Sequence, residues 1–314
     1  MSGLPPLPRG STVTVGSFDG MHLGHQAVLR EIAERASAAG RASVLVTFEP
    51  HPLEVVNPQA APPILMTGPE RGEFLAQTAI DYVVLLRFDR RMAGLGPEEF
   101  VRGILLDRCQ VKELVIGHDH GFGRGRSGDV ETLRRLGAVH GFEVDVVAAV
   151  DVGDQRVSSS RIRRAVAGGD LANAARMLGR PYRVSGRVVE GERRGRQIGV
   201  PTINLGDIPP QKLLPPDGVY AVRVEWRGGR VGGMMNQGAR PTFRDGRRVL
   251  EAHLFGFDGD LYDEWVRVEW IERLRDVQSF ASVEALQQQL ERDRSRALAV
   301  LSAAGANPGR VTHA

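Results

Sequence analysis

The chain has 314 residues, 42% hydrophobic and 25% charged, which is ordinary for globular proteins and long enough for one large domain or two of about 150 residues. Its single cysteine, Cys109, excludes an intrachain disulfide and a cysteine-cluster metal site, and no apolar run reaches the ~18 residues of a membrane span. Thirty-nine arginines stand against two lysines, yet the net charge is only +3, too weak a field to recruit nucleic acid.

Thr12–Val15 is a short β-branched run, read as the first strand. Gln26–Ala39 is helical, with Val28, Leu29, Ile32, Ala33 and Ala36 on one side. Ser43–Phe48, Tyr82–Leu86, Glu113–Ile116 and Val144–Val150 read as further strands, with Pro97–Leu106 helical among them. Short apolar strands joined by helices predict a parallel sheet covered on both faces. Helices near Ser160–Ala167 and Leu171–Leu178 follow.

Past Gly179-Arg-Pro-Tyr182 the period changes to two. Val184–Val189, Val219–Trp226, Val231–Met235, Leu250–Phe255 and Trp265–Trp270 alternate between glycine turns, as in an antiparallel sheet or small barrel. A last helix, capped by Ser282, carries Val283, Leu286, Leu290, Ala297, Leu298 and Leu301 on one face. The expected fold is therefore α/β followed by β, with domains at 1–180 and 181–314. The opening residues Met1–Arg9 lack the apolar core of a secretion signal, so a cytoplasmic protein is expected.

The first strand runs into Gly16-Ser-Phe-Asp-Gly-Met-His-Leu-Gly-His25 and then a helix. A loop that opens a helix offers N–H groups and a dipole to phosphates. Gly16, Gly20 and Gly24 would permit close backbone approach. His22 and His25, three apart, share a helix face and can donate to a polyphosphate. Ser158, Ser159 and Ser160 open a later helix, with Arg163 one turn in as a fork for phosphate oxygens. The run Gly123-Arg-Gly-Arg-Ser-Gly128 has the dinucleotide spacing, but it lies too late in the α/β half for that role. Composition does not decide whether the arginine excess reflects base composition or phosphate binding.

The ten-residue string, with its His-x-Gly-His core, resembles the nucleotidyltransferase superfamily. In its longer form it is similar to the bifunctional riboflavin kinase/FAD synthetases of bacteria. Thr47-Phe-Glu-Pro-His-Pro52, Gly117-His-Asp-His-Gly-Phe-Gly123 (with Arg126) and Ser158-Ser-Ser-Arg-Ile-Arg163 match further motifs of that family in whole or part. In the second half Gly195-Arg-Gln-Ile-Gly-Val-Pro-Thr-Ile-Asn204, Gly218-Val-Tyr, Asn236-x-Gly-x-Arg-Pro-Thr-Phe243, Glu251-x-His-Leu254 and Asp260-Leu-Tyr262 resemble its kinase module.

The resemblance implies a Rossmann-like nucleotidyltransferase sheet followed by a six-stranded antiparallel barrel. The barrel would phosphorylate riboflavin to FMN with ATP. The first domain would adenylylate FMN to FAD with a second ATP. Gly16, Phe18, Asp19, Gly20, Gly24, Asp119 and Ser158–Ser160 would bind that ATP, with His22, His25 and Arg163 acting on its phosphates. Gly195, Gly199, Pro201 and Asn236 would bind the kinase's ATP. Thr202 and Asn204, two apart on an extended segment, offer hard oxygens suited to Mg²⁺, and Glu251 is the candidate base. Substrates would be riboflavin, FMN and ATP. Neither nucleic acid nor membrane is an expected partner, and the chain would be a monomer or weak homo-oligomer. Departures are His120 and Gly121, where the family usually has Phe and often Arg, and Met234-Met-Asn-Gln237 in place of an apolar-Ala-Asn-Ile run. The alternative is a riboflavin kinase with an inactive first domain.

Overall fold

The computed structural model describes residues 4–117, 129–191, 199–239 and 248–305. The chain forms two compact units, Met1–Ser159 and Ser160–Ala314.

The first unit is built on five parallel strands: β1 (Ser11–Val15), β2 (Ala42–Glu49), β3 (Tyr82–Arg87), β4 (Val111–Gly117) and β5 (Glu143–Val147). Their order is β3-β2-β1-β4-β5. All five residues of β1 are buried, as expected of a central strand covered on both faces. On one face Val13, Val44, Leu114 and Ile116 pack with Phe100, Leu105, Leu133 and Leu136. On the other, Leu45 and Val115 meet Val28, Leu29 and Ile32 of helix α1 (Leu23–Ala39). Arg35 fastens α1 to the sheet, reaching Glu113 at 2.8 Å and Asp145 at 2.7 Å. The strand order reverses between β1 and β4, which places the ligand crevice of such a sheet beyond the carboxyl ends of those two strands.

Short helices join the strands: α2 (Pro52–Val56), α3 (Gly68–Leu75), α4 (Arg90–Gly94), α5 (Pro97–Phe100) and α6 (Val130–His140). The expected helix 97–106 is α-helical only to Phe100 and continues over Val101–Leu106 with the wider π pitch. The expected strand 144–150 leaves the ladder after Val147. Its last residues turn toward a hairpin of β6 (Asp151–Val152) and β7 (Gln155–Arg156), where the Val150 carbonyl accepts from the Val157 N–H at 2.9 Å. Burial pushes the Cys109 thiol up to about 12, so it is no nucleophile. Ser159 is the last residue of the first unit, and helix α7 (Ser159–Ala167) carries the chain into the second.

The second unit continues with α8 (Leu171–Leu178) and then β8 (Arg183–Val189), β9 (Ile203–Gly206), β10 (Gly218–Trp226), β11 (Gly229–Ala239), β12 (Arg248–Leu254) and β13 (Trp265–Arg275). These six close an antiparallel barrel in the order β10-β11-β12-β9-β8-β13. On β12, Leu250, Ala252 and Leu254 are buried while Val249, Glu251 and His253 are less so, the alternation of a half-covered strand.

Helix α9 (Val283–Ala303) packs Ala297 and Leu301 on Val219, Ala221, Met234, Phe255 and Leu274. Ser282 caps it, accepting from Ala285 N–H at 3.2 Å. Buried Asp293 holds the Arg275 guanidinium through contacts of 2.7–3.0 Å. Val283, expected on the apolar face, is instead 52% exposed, because the first turn lies outside the buried stretch. The Met234–Met235 pair divides between faces, Met234 under α9 and Met235 fully buried on the other side of β11.

Candidate active sites

In the first unit β1 delivers the chain to Gly16, whose N–H bonds the Val46 carbonyl at 3.1 Å. The next residues turn tightly. Phe18, Gly20 and Met21 have φ of 48°, 86° and 43°, a left-handed conformation costly for the two non-glycine residues. The loop is held by its neighbours. Asp19, 4% exposed, turns its carboxylate onto the N–H groups of Leu65 and Met66 at 2.9–3.0 Å. The Ser17 carbonyl accepts from Thr47 and from Arg71, each at 3.3 Å, and Arg71 also pairs with Glu49. The glycines make room for the loop's own rings. A Cβ at Gly16 would come within 3.0 Å of the Phe18 ring, and one at Gly24 within 3.2 Å of the His22 ring.

His22 is the N-cap of α1. Its Nδ1 accepts from the His25 N–H at 3.3 Å, which puts the proton of the neutral ring on Nε2. The His22 and His25 rings stack with centroids 3.6 Å apart, and Phe18 lies 4.7 Å from His25. Ser159, the first residue of α7, donates from Oγ to the Asp19 carbonyl at 2.9 Å. Both residues belong to the first unit, so this bond ties the end of that unit to the loop. Neither α1 nor α7 has an acidic residue in its first turn, whereas α3, α5, α6 and α9 each do. Ser158 precedes α7, Ser160 is exposed, and Arg163 lies one turn into the helix.

In the barrel, Glu251 of β12 stands opposite Asn204 of β9 and opposite Asn236 of β11. Directly paired residues share a face, so one row carries a carboxylate flanked by two carboxamides. Thr202, just before β9, donates its hydroxyl to Glu251 Oε1 at 2.7 Å. Asn204 is buried against Gly191, where a Cβ would clash with its amide. Gly199, at φ 79°, starts the Pro201-Thr202 segment, and the Pro201 carbonyl meets His253 Nδ1 at 2.7 Å. Arg71 and His253 were not singled out from sequence. One is hidden among the 39 arginines, and the other was visible only inside the Glu-x-His-Leu string.

Asp119, His120, Gly121, the glycine run 123–128 with Arg126, Gly195, Arg196 and residues 240–243 lie outside the described residues.

Comparison with known proteins assigns both halves. The FAD synthetase family model matches residues 4–161, and the riboflavin kinase model matches 178–301. A protein from Pseudomonas fluorescens named bifunctional riboflavin kinase/FMN adenylyltransferase is 40% identical over 96% of this chain and 97% of its own. One of the same name from Escherichia coli strain K12 is 38% identical over 91% of each. A solved structure described as a macrolide-efflux protein from Streptococcus pneumoniae is 32% identical, with a TM-score of 0.82 over 94% of this chain and 95% of that one. Among the described residues no helix is long and apolar enough to cross a membrane.

The chain is thus a transferase in which two ATP-using domains of flavin cofactor synthesis stand in series. It belongs to the bifunctional riboflavin kinase/FMN adenylyltransferase family. Both domains are present, which favours the two-activity reading over a kinase with a lost first domain.

Proposed function

We propose that the barrel transfers the γ-phosphoryl of ATP to the 5′-hydroxyl of riboflavin with Glu251 as base, and that the first unit moves AMP from a second ATP onto the resulting FMN phosphate. The observation that carries the kinase half is the Thr202–Glu251 hydrogen bond of 2.7 Å beside the Glu251–Asn204 strand pair. A carboxylate fixed at that point can take the proton of an attacking hydroxyl. The hydroxyl that Thr202 donates to Glu251 keeps its lone pairs, so Thr202 Oγ1 and Asn204 Oδ1 fit Mg²⁺ as neutral oxygen ligands. Bound there, the ion would offset charge on the transferring phosphoryl, with substrate phosphates and water completing its shell. Gly195, Gly199, Pro201 and Asn236 would border the nucleotide.

For adenylyl transfer, the loop and first turn of α1 hold the polyphosphate, with His22 donating from Nε2, and the family resemblance assigns phosphate contacts to Ser158–Ser160 and Arg163 as well. The FMN phosphate oxygen attacks the α-phosphorus and pyrophosphate leaves, with no covalent bond to the protein. Asp19, buried against the 65–66 backbone, serves this site by holding the loop. The reading places the enzyme in the cytoplasm, as a monomer or weak homo-oligomer, and gives it no nucleic-acid partner.

The test is a pair of substitutions in the full chain. His25→Ala should stop FAD formation while FMN accumulates. Glu251→Ala should stop FMN formation while FAD is still made from supplied FMN. Loss of both activities from either change in a folded protein, or of neither, would overturn the assignment.

A further inference from the structure

We infer that His253 is a positioning residue of the kinase site, acting through the Pro201 carbonyl to hold Thr202 against Glu251. The inference rests on the kinase reading above. Glu251 and His253 are two apart on β12 and share a face. Glu251 accepts the Thr202 hydroxyl at 2.7 Å, and His253 Nδ1 lies 2.7 Å from the carbonyl of the residue just before it. A carbonyl only accepts, so Nδ1 carries the proton. Proline has no N–H, so the carbonyl is the backbone handle residue 201 offers next to Thr202.

The imidazole itself is braced. It meets the Phe255 ring edge-on at 5.7 Å. Phe255 belongs to the apolar cluster under α9, and Val200 packs on that same cluster. Residues 200, 201 and 202 are therefore gripped in turn by apolar packing, by His253 and by Glu251. Losing the middle grip leaves Thr202 free to swing, and with it the oxygen assigned to the metal. Groups that orient a metal ligand in this way affect activity on the order of 10- to 100-fold.

Three variants of the full chain test this. Asparagine can place an N–H near the position of Nδ1, glutamine places it one bond farther out, and leucine has none. His253→Leu and His253→Gln should lower kcat for riboflavin phosphorylation on the order of 10- to 100-fold and raise the Mg²⁺ concentration for half-maximal rate. His253→Asn should stay within a few-fold of the parent. FAD formation from supplied FMN should not change in any of them. His253→Leu in a Thr202→Ala background should add little further loss, because both act through one side chain.

Parent-like kinase activity in His253→Leu, equal loss in the Asn and Gln variants, or full multiplication of the two losses would each overturn the inference. If His253→Leu does not fold, the Asn–Gln comparison decides. Failure of the underlying site reading looks different, because Thr202→Ala and Glu251→Ala would then themselves leave phosphorylation intact.

Discussion

Asp19 sits inside the proposed phosphate loop, yet its carboxylate grips a different segment, 46 residues away. Asp19→Asn keeps the shape and removes the charge. Oδ1 already accepts from both the Leu65 and the Met66 N–H at 3.0 Å, so the amide oxygen can keep both, and what is lost is the charge and the second Leu65 contact at Oδ2, where the amide NH₂ now faces an N–H. A hydrogen bond to a charged group contributes about 1.5–3 kcal/mol. With the other two contacts kept, the loss is about 1.5–3 kcal/mol. For a unit of this size that lowers the melting temperature by roughly 3–12 °C. The same tether holds Phe18 and Met21 at positive φ just before His22, so releasing it displaces His22. A misplacement of about 1 Å can cost on the order of 100-fold in rate. Calorimetry and chromatographic assay of FAD made from FMN and ATP should show both effects, with riboflavin phosphorylation untouched. A parent-like melting curve together with parent-like FAD formation would refute the tether.

Gly24→Ala places a methyl 3.2 Å from the Cε1 and Nδ1 atoms of His22; FAD formation should fall while FMN formation holds, and chromatography of the flavins checks both. Asp293→Ala leaves the Arg275 guanidinium without its buried partner and should cost about 3–5 kcal/mol, seen as a lower calorimetric transition and as earlier heat inactivation of the kinase. The Asp145 carboxyl is held below its ordinary range, first by the Val146 N–H and then by Arg35. Its folded pKa is therefore the lower one, so its stabilisation is present above about pH 4 and is lost as pH falls through the folded value. Asp145→Asn should then weaken the protein against denaturant at pH 7 and not at the acid end of the curve.

Helices α1 and α8 were legible because their apolar residues recur at helical spacing, and β12 because it alternates. The π-pitch turn at Val101–Leu106 was not, since its apolar pattern also suits an α-helix. Helix α3 carried a readable capping box, Thr67 with Glu70, but it is only two turns long and shows no strong face. Strand β9, four residues long, was not read from the sequence: the resemblance implied a sixth barrel strand without locating it, and so short a segment shows no period.

Candidate residues near the motifs were visible in the sequence, but their partners were not. Asp19 with Leu65, Thr202 with Glu251 and His253 with Pro201 are each joined across 46 to 52 residues. Local pattern holds no trace of such pairings. The arginine excess also resolves in part. Arg35, Arg71 and Arg275 are structural clamps on carboxylates, a use that composition could not separate from phosphate binding.

The most direct test is to incubate the purified chain with riboflavin, ATP and Mg²⁺ and to separate the flavins over time. The account predicts that FMN appears first and FAD follows, with ADP and pyrophosphate as co-products. FMN without FAD would contradict the assignment of adenylyl transfer to the first unit, and the absence of both would contradict the account as a whole.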